Sequence, residues 1–132
     1  MKTVVAAALG ECVHVAGISN FLRLEESAGW RTVFLGPAVP IERVLAAARA
    51  KNAELVGVSY RLTPETGEQL LGEFAEAADD MRQSGTRFVF GGTAPVAARV
   101  AAMGFFERVF DGTADDEEVL RYLRGATDHA AA

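Results

Sequence analysis

The sequence predicts an α/β protein in which strands and helices alternate and the strands form one parallel sheet. Two observations predict this class. Short, continuous apolar runs recur along the chain, and the segments between them repeat their apolar residues at helical spacing. Such runs are typical of strands buried on both faces, and helical crossovers make the strands that they join parallel. A chain of 132 residues is long enough for one such domain with a substantial core.

Short apolar runs mark the predicted strands, and a glycine or an Asp-Gly pair follows most of them. Because turns favour glycine, these boundaries also indicate where the strands end. The runs are Thr3–Leu9 before Gly10, Thr32–Leu35 before Gly36, Glu54–Ser59, Arg87–Phe90 before Gly91, and a short fifth run, Arg108–Phe110, before Asp111–Gly112.

The segments between these runs predict helices. Pro40 stands at the start of the second helix, and Thr63–Glu65 stands at the start of the third, which Ser84–Gly85 ends. Residues Thr113–Asp116 begin the last helix. The apolar positions are, helix by helix, Ile18, Phe21 and Leu22; Ile41, Val44, Leu45 and Ala48; Leu70, Phe74, Ala77 and Met81; Val96, Val100 and Met103; and Val119, Leu120 and Leu123.

The order βαβαβαβαβα predicts a doubly wound sheet with helices on both faces, because crossovers within one parallel sheet are right-handed. We expect a flavodoxin-like, five-stranded parallel sheet with the strand order 2-1-3-4-5. The domain is expected to span residues 1–125. Residues 126–132 are expected to form a flexible C-terminal tail.

Composition and charge narrow the classes of partner. The formal net charge is −5, and the 13 basic residues are scattered, so a nucleic-acid partner is not expected. The single cysteine excludes a disulfide framework within the chain. No apolar run has the length of a signal peptide or a membrane span. We therefore expect a reduced, cytoplasmic protein without a membrane partner.

Ligands of doubly wound sheets bind beyond the carboxyl ends of the strands, where the winding reverses. The stretches that follow the first, third and fourth strands are Gly10–Gly17 (GECVHVAG), Ser59–Pro64 and Gly91–Thr93, and these should meet at one edge of the sheet. The dinucleotide fingerprint, the phosphate loop, the receiver-domain aspartates and the nucleophile elbow are all missing from the sequence. The common functions of this fold are therefore not indicated.

A histidine stands in the first of these stretches. A neutral imidazole can bind a metal, but Cys12 and His14 together supply at most two of the four ligands that zinc takes. A lone His ligand is consistent with a metal whose other ligands arrive with a tetrapyrrole or a corrin.

These stretches resemble the cobalamin-binding domain of corrinoid methyltransferases and adenosylcobalamin-dependent mutases. That family carries Asp-x-His-x-x-Gly after its first strand, Ser-x-Leu after its third and Gly-Gly after its fourth. Here the matching residues are Cys12, His14 and Gly17, then Ser59 and Arg61, then Gly91 and Gly92. The resemblance covers nearly the whole chain, roughly Thr3 to Leu123.

The resemblance implies a corrinoid whose benzimidazole tail leaves the cobalt and threads between sheet and helices. It implies that His14 is the lower cobalt ligand and that Ser59 contacts the benzimidazole. It also implies that Gly17, Gly91 and Gly92 leave room for the tail, and Thr63 belongs to the same expected set of cofactor-binding residues.

Two positions depart from the pattern of the family. Cys12 replaces the Asp that hydrogen-bonds the ligand His, and a thiol orients an imidazole poorly. Arg61 replaces the Leu, and could reach a corrin amide, the nucleotide phosphate or a partner. We therefore expect this protein to bind cobalamin with an affinity different from that of family members that carry the Asp and the Leu.

Several functions remain open on the sequence. The first is a cobalamin carrier that holds methylcobalamin or adenosylcobalamin for a catalytic partner protein, without catalytic residues of its own. The second is a regulatory or interaction module with weak, altered or lost tetrapyrrole binding. The third is an enzyme with Cys12 as its nucleophile near His14. The substrate, the partner and assembly into a homo-oligomer stay open.

Overall fold

The computed structural model describes residues 2–10, 12 and 16–131. Strands and helices alternate along this part of the chain, as the sequence predicts. The elements are β1 Thr3–Ala8, α1 Ala16–Ser27, β2 Arg31–Phe34, α2 Ile41–Ala50, β3 Leu55–Tyr60, α3 Pro64–Gln83, β4 Arg87–Gly92, α4 Ala94–Ala101, β5 Arg108–Phe110 and α5 Asp116–Ala131.

The strands form one parallel, five-stranded sheet in the order β2-β1-β3-β4-β5. The predicted strand order is therefore confirmed. In the register of the sheet, Ala8 pairs with Ser59 and Ser59 pairs with Gly91. This row of residues crosses the three central strands at their carboxyl ends, where two of the predicted binding stretches begin.

Helices cover both faces of the sheet, and a hydrophobic core lies under each layer. One core cluster includes Val44, Leu71 and Val96, which come from α2, α3 and α4. The other includes Leu24 of α1 and Leu123 of α5, which pack with residues of β1, β3 and β4. Every side chain of β1 and β3 is buried, as expected of central strands covered on both faces.

The second strand differs from the central ones. Its end residues, Arg31 and Phe34, are exposed, and the two between them are half-buried. The reason is its place at the edge of the sheet, where only β1 pairs with it. An apolar run in the sequence does not distinguish an edge strand from a central one.

Turn chemistry sets the loop that follows β1. Gly10 has a φ of 66°, and its N–H donates a hydrogen bond to the carbonyl oxygen of Val39 at 2.9 Å. A Cβ atom at this position would also lie 2.7 Å from Cδ2 of Leu70. Glycine satisfies both the positive φ and the close approach of α3.

The last helix begins at Asp116, and its first turn carries three acidic residues, which the helix dipole favours. Its backbone continues to Ala131, beyond residue 125 at which the sequence predicts the domain to end. The flexibility of residues 126–132 stays a prediction. None of the helices in the described part of the chain has both the length and the apolar character needed to cross a membrane.

Candidate functional site

A groove of about 260 Å³ lies on one face of the sheet, at the carboxyl halves of the central strands. Side chains of α1, including Phe21 and Leu24, line one wall, and Phe110 and Val119 line another. The rings of Phe21 and Phe110 lie 6.1 Å apart between their centroids. The walls are therefore mostly apolar and partly aromatic.

The floor of the groove is made of very small residues. Ala6 of β1 pairs with Gly57 of β3, and Gly91 of β4 lies two residues further toward the carboxyl edge, beside Ser59. A Cβ atom at position 91 would meet no described atom within 4 Å, so this glycine opens onto empty space. Glycine inside a strand weakens the strand and often marks a close approach by a ligand or a backbone. This floor can accept a flat group laid against the sheet.

Ser59 contributes the buried polar atom of the groove. Its side chain is 7% exposed, and its Oγ has no hydrogen-bond partner among the described residues. A buried hydroxyl left without a partner costs about 1–3 kcal/mol. Because Ser59 is one of the residues that line the groove, a ligand atom that reaches its hydroxyl and accepts or donates a hydrogen bond would satisfy it.

Arg61 lies at the mouth of the same groove, just beyond the end of β3. Its side chain is half-buried and forms no ion pair with any described residue. The arginines on other surfaces behave differently, since several of them reach a carboxylate oxygen within 4 Å. These pairs are Arg23 with Asp116, Arg87 with Glu107, Arg99 with Glu65 and Glu68, and Arg108 with Glu118.

Gly91 and Gly92, which the resemblance implies leave room for the tail, have different surroundings. Gly92 also lines the groove, but a Cβ atom there would lie 2.6 Å from the carbonyl oxygen of Tyr60 and 2.9 Å from the ring of Phe90. Glycine is therefore required at position 92 by packing against β3. Glycine at position 91 is not required by any packing contact in the described structure, and it leaves the groove open.

The structure places two further predicted site residues away from the groove. Cys12 is fully buried in the core cluster that contains Leu9 and Val39, and its carbonyl oxygen accepts a hydrogen bond from the N–H of Ala38 at 2.8 Å. Thr63 is exposed as the N-cap of α3, and its carbonyl oxygen accepts from the N–H of Gly67 at 2.9 Å. Their roles toward a cofactor stay predictions.

The structure thus brings together Ser59, Arg61, Gly91 and Gly92 of the predicted set. Gly17 lies in the first turn of α1. His14, the predicted metal ligand, lies outside the described residues. Among the residues that are described, no group of three or more His, Cys, Asp or Glu side chains could hold a metal ion.

Sequence reasoning missed Gly57 and the aromatic walls. Gly57 stands inside an apolar run, and a Cβ atom there would lie 3.5 Å from both Phe21 and Val89, which would fill the groove. A glycine in the middle of a strand pattern is the signal that could have identified it. Phe110 carried no such signal, because an aromatic residue in a strand is most simply read as core.

Comparison with known proteins identifies the family. The chain matches the B12 binding domain over residues 2–125. It belongs to the B12-binding domain family. Two relatives come from Haloarcula marismortui: glutamate mutase sigma subunit 1 is 30% identical over 128 residues, which cover 93% of this chain and 84% of the relative. Glutamate mutase sigma subunit 2 is 28% identical over 138 residues, which cover 98% of this chain and 90% of the relative.

Solved structures share the fold of this B12-binding domain. A cobalamin-binding protein from Desulfitobacterium hafniense DCB-2 superposes with a TM-score of 0.77 at 22% identity, over 93% of this chain and 58% of that one. The methanol:cobalamin methyltransferase complex MtaBC from Methanosarcina barkeri gives a TM-score of 0.70 at 23% identity, over 92% of this chain and 51% of that one. This chain therefore spans little more than half the length of these two structures.

Proposed function

We propose that this B12-binding domain is a cobalamin carrier, which holds the corrinoid for a partner enzyme. The groove is the observation that carries the proposal, because it is lined both by Ser59, whose buried hydroxyl has no partner among the described residues, and by an open glycine floor. The benzimidazole of cobalamin is a flat, mostly apolar ring with one hydrogen-bonding nitrogen. It therefore suits a small-residue floor, apolar walls and a single buried hydroxyl.

Each residue of the groove has a task in this proposal. Ser59 donates its O–H to the ring nitrogen that would otherwise bind cobalt. Phe21 and Phe110 cover the ring from the helix side, and Gly57 and Gly91 let it lie against the sheet. His14, which stands between β1 and α1 in the sequence, would hold the cobalt in place of that nitrogen. When bound, the cofactor supplies the cobalt–carbon bond chemistry that no side chain of the domain can supply.

We favour adenosylcobalamin and a mutase partner over methylcobalamin and a methyltransferase. The support is the extent of the likeness: the glutamate mutase sigma subunits match along most of both chains. The methyltransferase structure is less than 25% identical to this chain, and the match covers only 51% of its length. We place the carrier in the cytoplasm.

Exposed apolar side chains at the carboxyl edge of the sheet also support a partner protein that covers this edge. Phe34, at the end of β2, is 41% exposed, and Leu62, just beyond β3, is 42% exposed. Both large apolar side chains therefore stand at the edge where the groove opens. An enzyme subunit that docks on this edge would bury them and close the groove from water.

The buried position of Cys12 helps to distinguish the two other candidate functions, which are an enzyme with a cysteine nucleophile and a regulatory module. Reactive cysteines are partly exposed in electropositive surroundings, whereas this thiol lies among apolar core residues. Nucleophilic catalysis by Cys12 is therefore disfavoured. The second candidate function is a regulatory module with altered tetrapyrrole binding, and the observation that favours it is the core position of Cys12 where the family has a hydrogen-bonding Asp.

The test is a titration of the purified protein with cob(II)alamin, followed by absorbance and electron paramagnetic resonance. The protein is labelled with the heavy nitrogen isotope at histidine only. Ligation by a protein histidine changes the nitrogen splitting of the cobalt signal from a triplet to a doublet. We expect a doublet for the wild type and for His129→Ala, and its loss in His14→Ala. A persistent triplet would mean that cobalamin binds without His14, and no binding at all would favour the regulatory module.

A further inference from the structure

Among the described residues that line the groove, Arg61 is the charged one, and nothing in the proposed contact with the benzimidazole uses it. No Asp or Glu is among the described residues that line the groove. The polar side chain of Asn20 is already engaged, since its Nδ2 donates to Asp116 at 3.1 Å and its Oδ1 accepts from Arg23 at 2.6 Å. In a protein of formal net charge −5, this groove therefore carries a local positive charge.

The guanidinium of Arg61 has no carboxylate partner among the described residues, so it is available to an anion that a ligand brings into the groove. A guanidinium binds phosphate oxygens through two parallel hydrogen bonds, which makes arginine the preferred residue for this recognition. An anionic group on the ligand, close to the group that reaches Ser59, would neutralise Arg61. A phosphodiester has this charge and this geometry.

The spacing of the two residues also fits a nucleotide. Ser59 and Arg61 are two positions apart at the end of an extended strand, so their Cα atoms are separated by about 7 Å. A nucleotide places its base and its phosphate on opposite sides of one ribose, which is a comparable span. The hydroxyl and the guanidinium can therefore bind the base and the phosphate of one nucleotide.

We propose that Arg61 binds the phosphodiester of the cobalamin tail and selects corrinoids that carry a complete nucleotide tail. This inference rests on the proposed carrier function. It adds a specificity residue at the position where the family pattern has an uncharged Leu. Two residues at the end of β3 then bind different parts of the tail. Ser59 binds the base, and Arg61 binds the negatively charged phosphodiester.

The experiment compares two corrinoids in the same protein. Hydroxocobalamin carries the nucleotide and its phosphodiester, whereas cobinamide has the same corrin and cobalt but lacks both. Dissociation constants for the two are measured by absorbance in the wild type, Arg61→Leu and Arg61→Lys. Arg31→Leu is the matched control, because Arg31 is an exposed arginine at the start of β2, at the opposite edge of the sheet. Thermal unfolding of each variant without ligand checks that it folds.

We expect Arg61→Leu to weaken hydroxocobalamin binding about 10-fold or more, in line with the loss of a charge-assisted hydrogen bond. Cobinamide binding should change by less than about twofold, since the lost contact is with the tail. Arg61→Lys should lose affinity for hydroxocobalamin, but less than Arg61→Leu, because it keeps the charge and not the two parallel hydrogen bonds. Arg31→Leu should keep all of the affinity.

Equal losses for both corrinoids would overturn the inference, because Arg61 would then act on the corrin or on the fold. Unchanged hydroxocobalamin binding in Arg61→Leu would also overturn it, and would place Arg61 at a partner surface instead. In both cases the carrier function stands. A wild type that binds neither corrinoid would reject the carrier function and the inference together.

Discussion

Ser59 and Gly91 lie side by side on β3 and β4, and together they form the polar and the open part of one groove. The hydroxyl of Ser59 is buried without a partner, while Gly91 faces space that no described atom fills. A protein selected only for stability would fill this space and remove this hydroxyl. Both features support the proposed binding of a ligand at this position.

The neighbouring glycines 91 and 92 should respond in opposite ways to the addition of one methyl group. Gly91→Ala should stabilise the ligand-free protein by about 0.4–1 kcal/mol, because it restricts the unfolded chain without a clash. Gly92→Ala should destabilise it by about 1–3 kcal/mol, because the new Cβ would collide with the carbonyl oxygen of Tyr60. Urea unfolding of the two variants checks this prediction. Equal effects would contradict the assigned surroundings.

A larger side chain at position 91 should separate folding from binding. Gly91→Val has room for its side chain in the groove and should fold with a thermal midpoint close to that of the wild type. The methyl groups would occupy the space proposed for the benzimidazole, so cobalamin binding should weaken at least about tenfold. Isothermal titration calorimetry measures this, and Gly91→Ala is the matched smaller change. Full affinity in Gly91→Val would mean that the tail lies elsewhere.

Removal of the Ser59 hydroxyl should affect the free and the bound protein differently. Ser59→Ala removes a buried hydroxyl that lacks a partner, so the free energy of unfolding without ligand should stay equal or rise. Cobalamin affinity should fall by about 5- to 10-fold, the value of one ordinary hydrogen bond. Chemical unfolding with and without cobalamin measures both effects. A loss of stability without ligand would mean that the hydroxyl has a structural role.

Glu25 should make the stability of the protein depend on pH. Its side chain in α1 is fully buried, and neither carboxyl oxygen has a hydrogen-bond partner among the described residues. Burial, with a smaller contribution from the charge of Glu26, raises the pKa of Glu25 from 4.5 to about 8. Between these two values the folded state holds a proton that the unfolded state has released.

The sign of the effect follows from that proton difference. The contribution of Glu25 to the free energy of unfolding should be most favourable below about pH 4.5. As the pH rises from there toward 8, the free energy of unfolding should fall by up to about 1.4 kcal/mol per pH unit. Glu25→Gln should abolish most of this slope, whereas Glu76→Gln, an exposed change on α3, should leave it intact. Urea unfolding across this pH range measures it. An identical slope in Glu25→Gln would contradict the assignment.

The sequence by itself determined the alternation of elements, the parallel sheet and the edge at which the site lies. These follow from local periodicity and from the handedness of crossovers, which depend on residues close together in the chain. The fold rule placed the stretches that contain Ser59, Arg61 and Gly91 at this edge, and the resemblance to the cobalamin-binding family singled out these residues. All three line one groove.

Only the tertiary structure decided which of these positions opens on the groove and which is filled by packing. Gly91 and Gly92 are the same residue type in adjacent positions, yet one faces open space and the other faces the backbone of β3. Glu25 is a carboxylate within α1 and Cys12 a thiol that follows β1 in the sequence, and only the structure shows that both are fully buried. The physical reason is that the burial of a residue depends on which elements, distant in sequence, pack against it. The local sequence pattern does not specify those contacts.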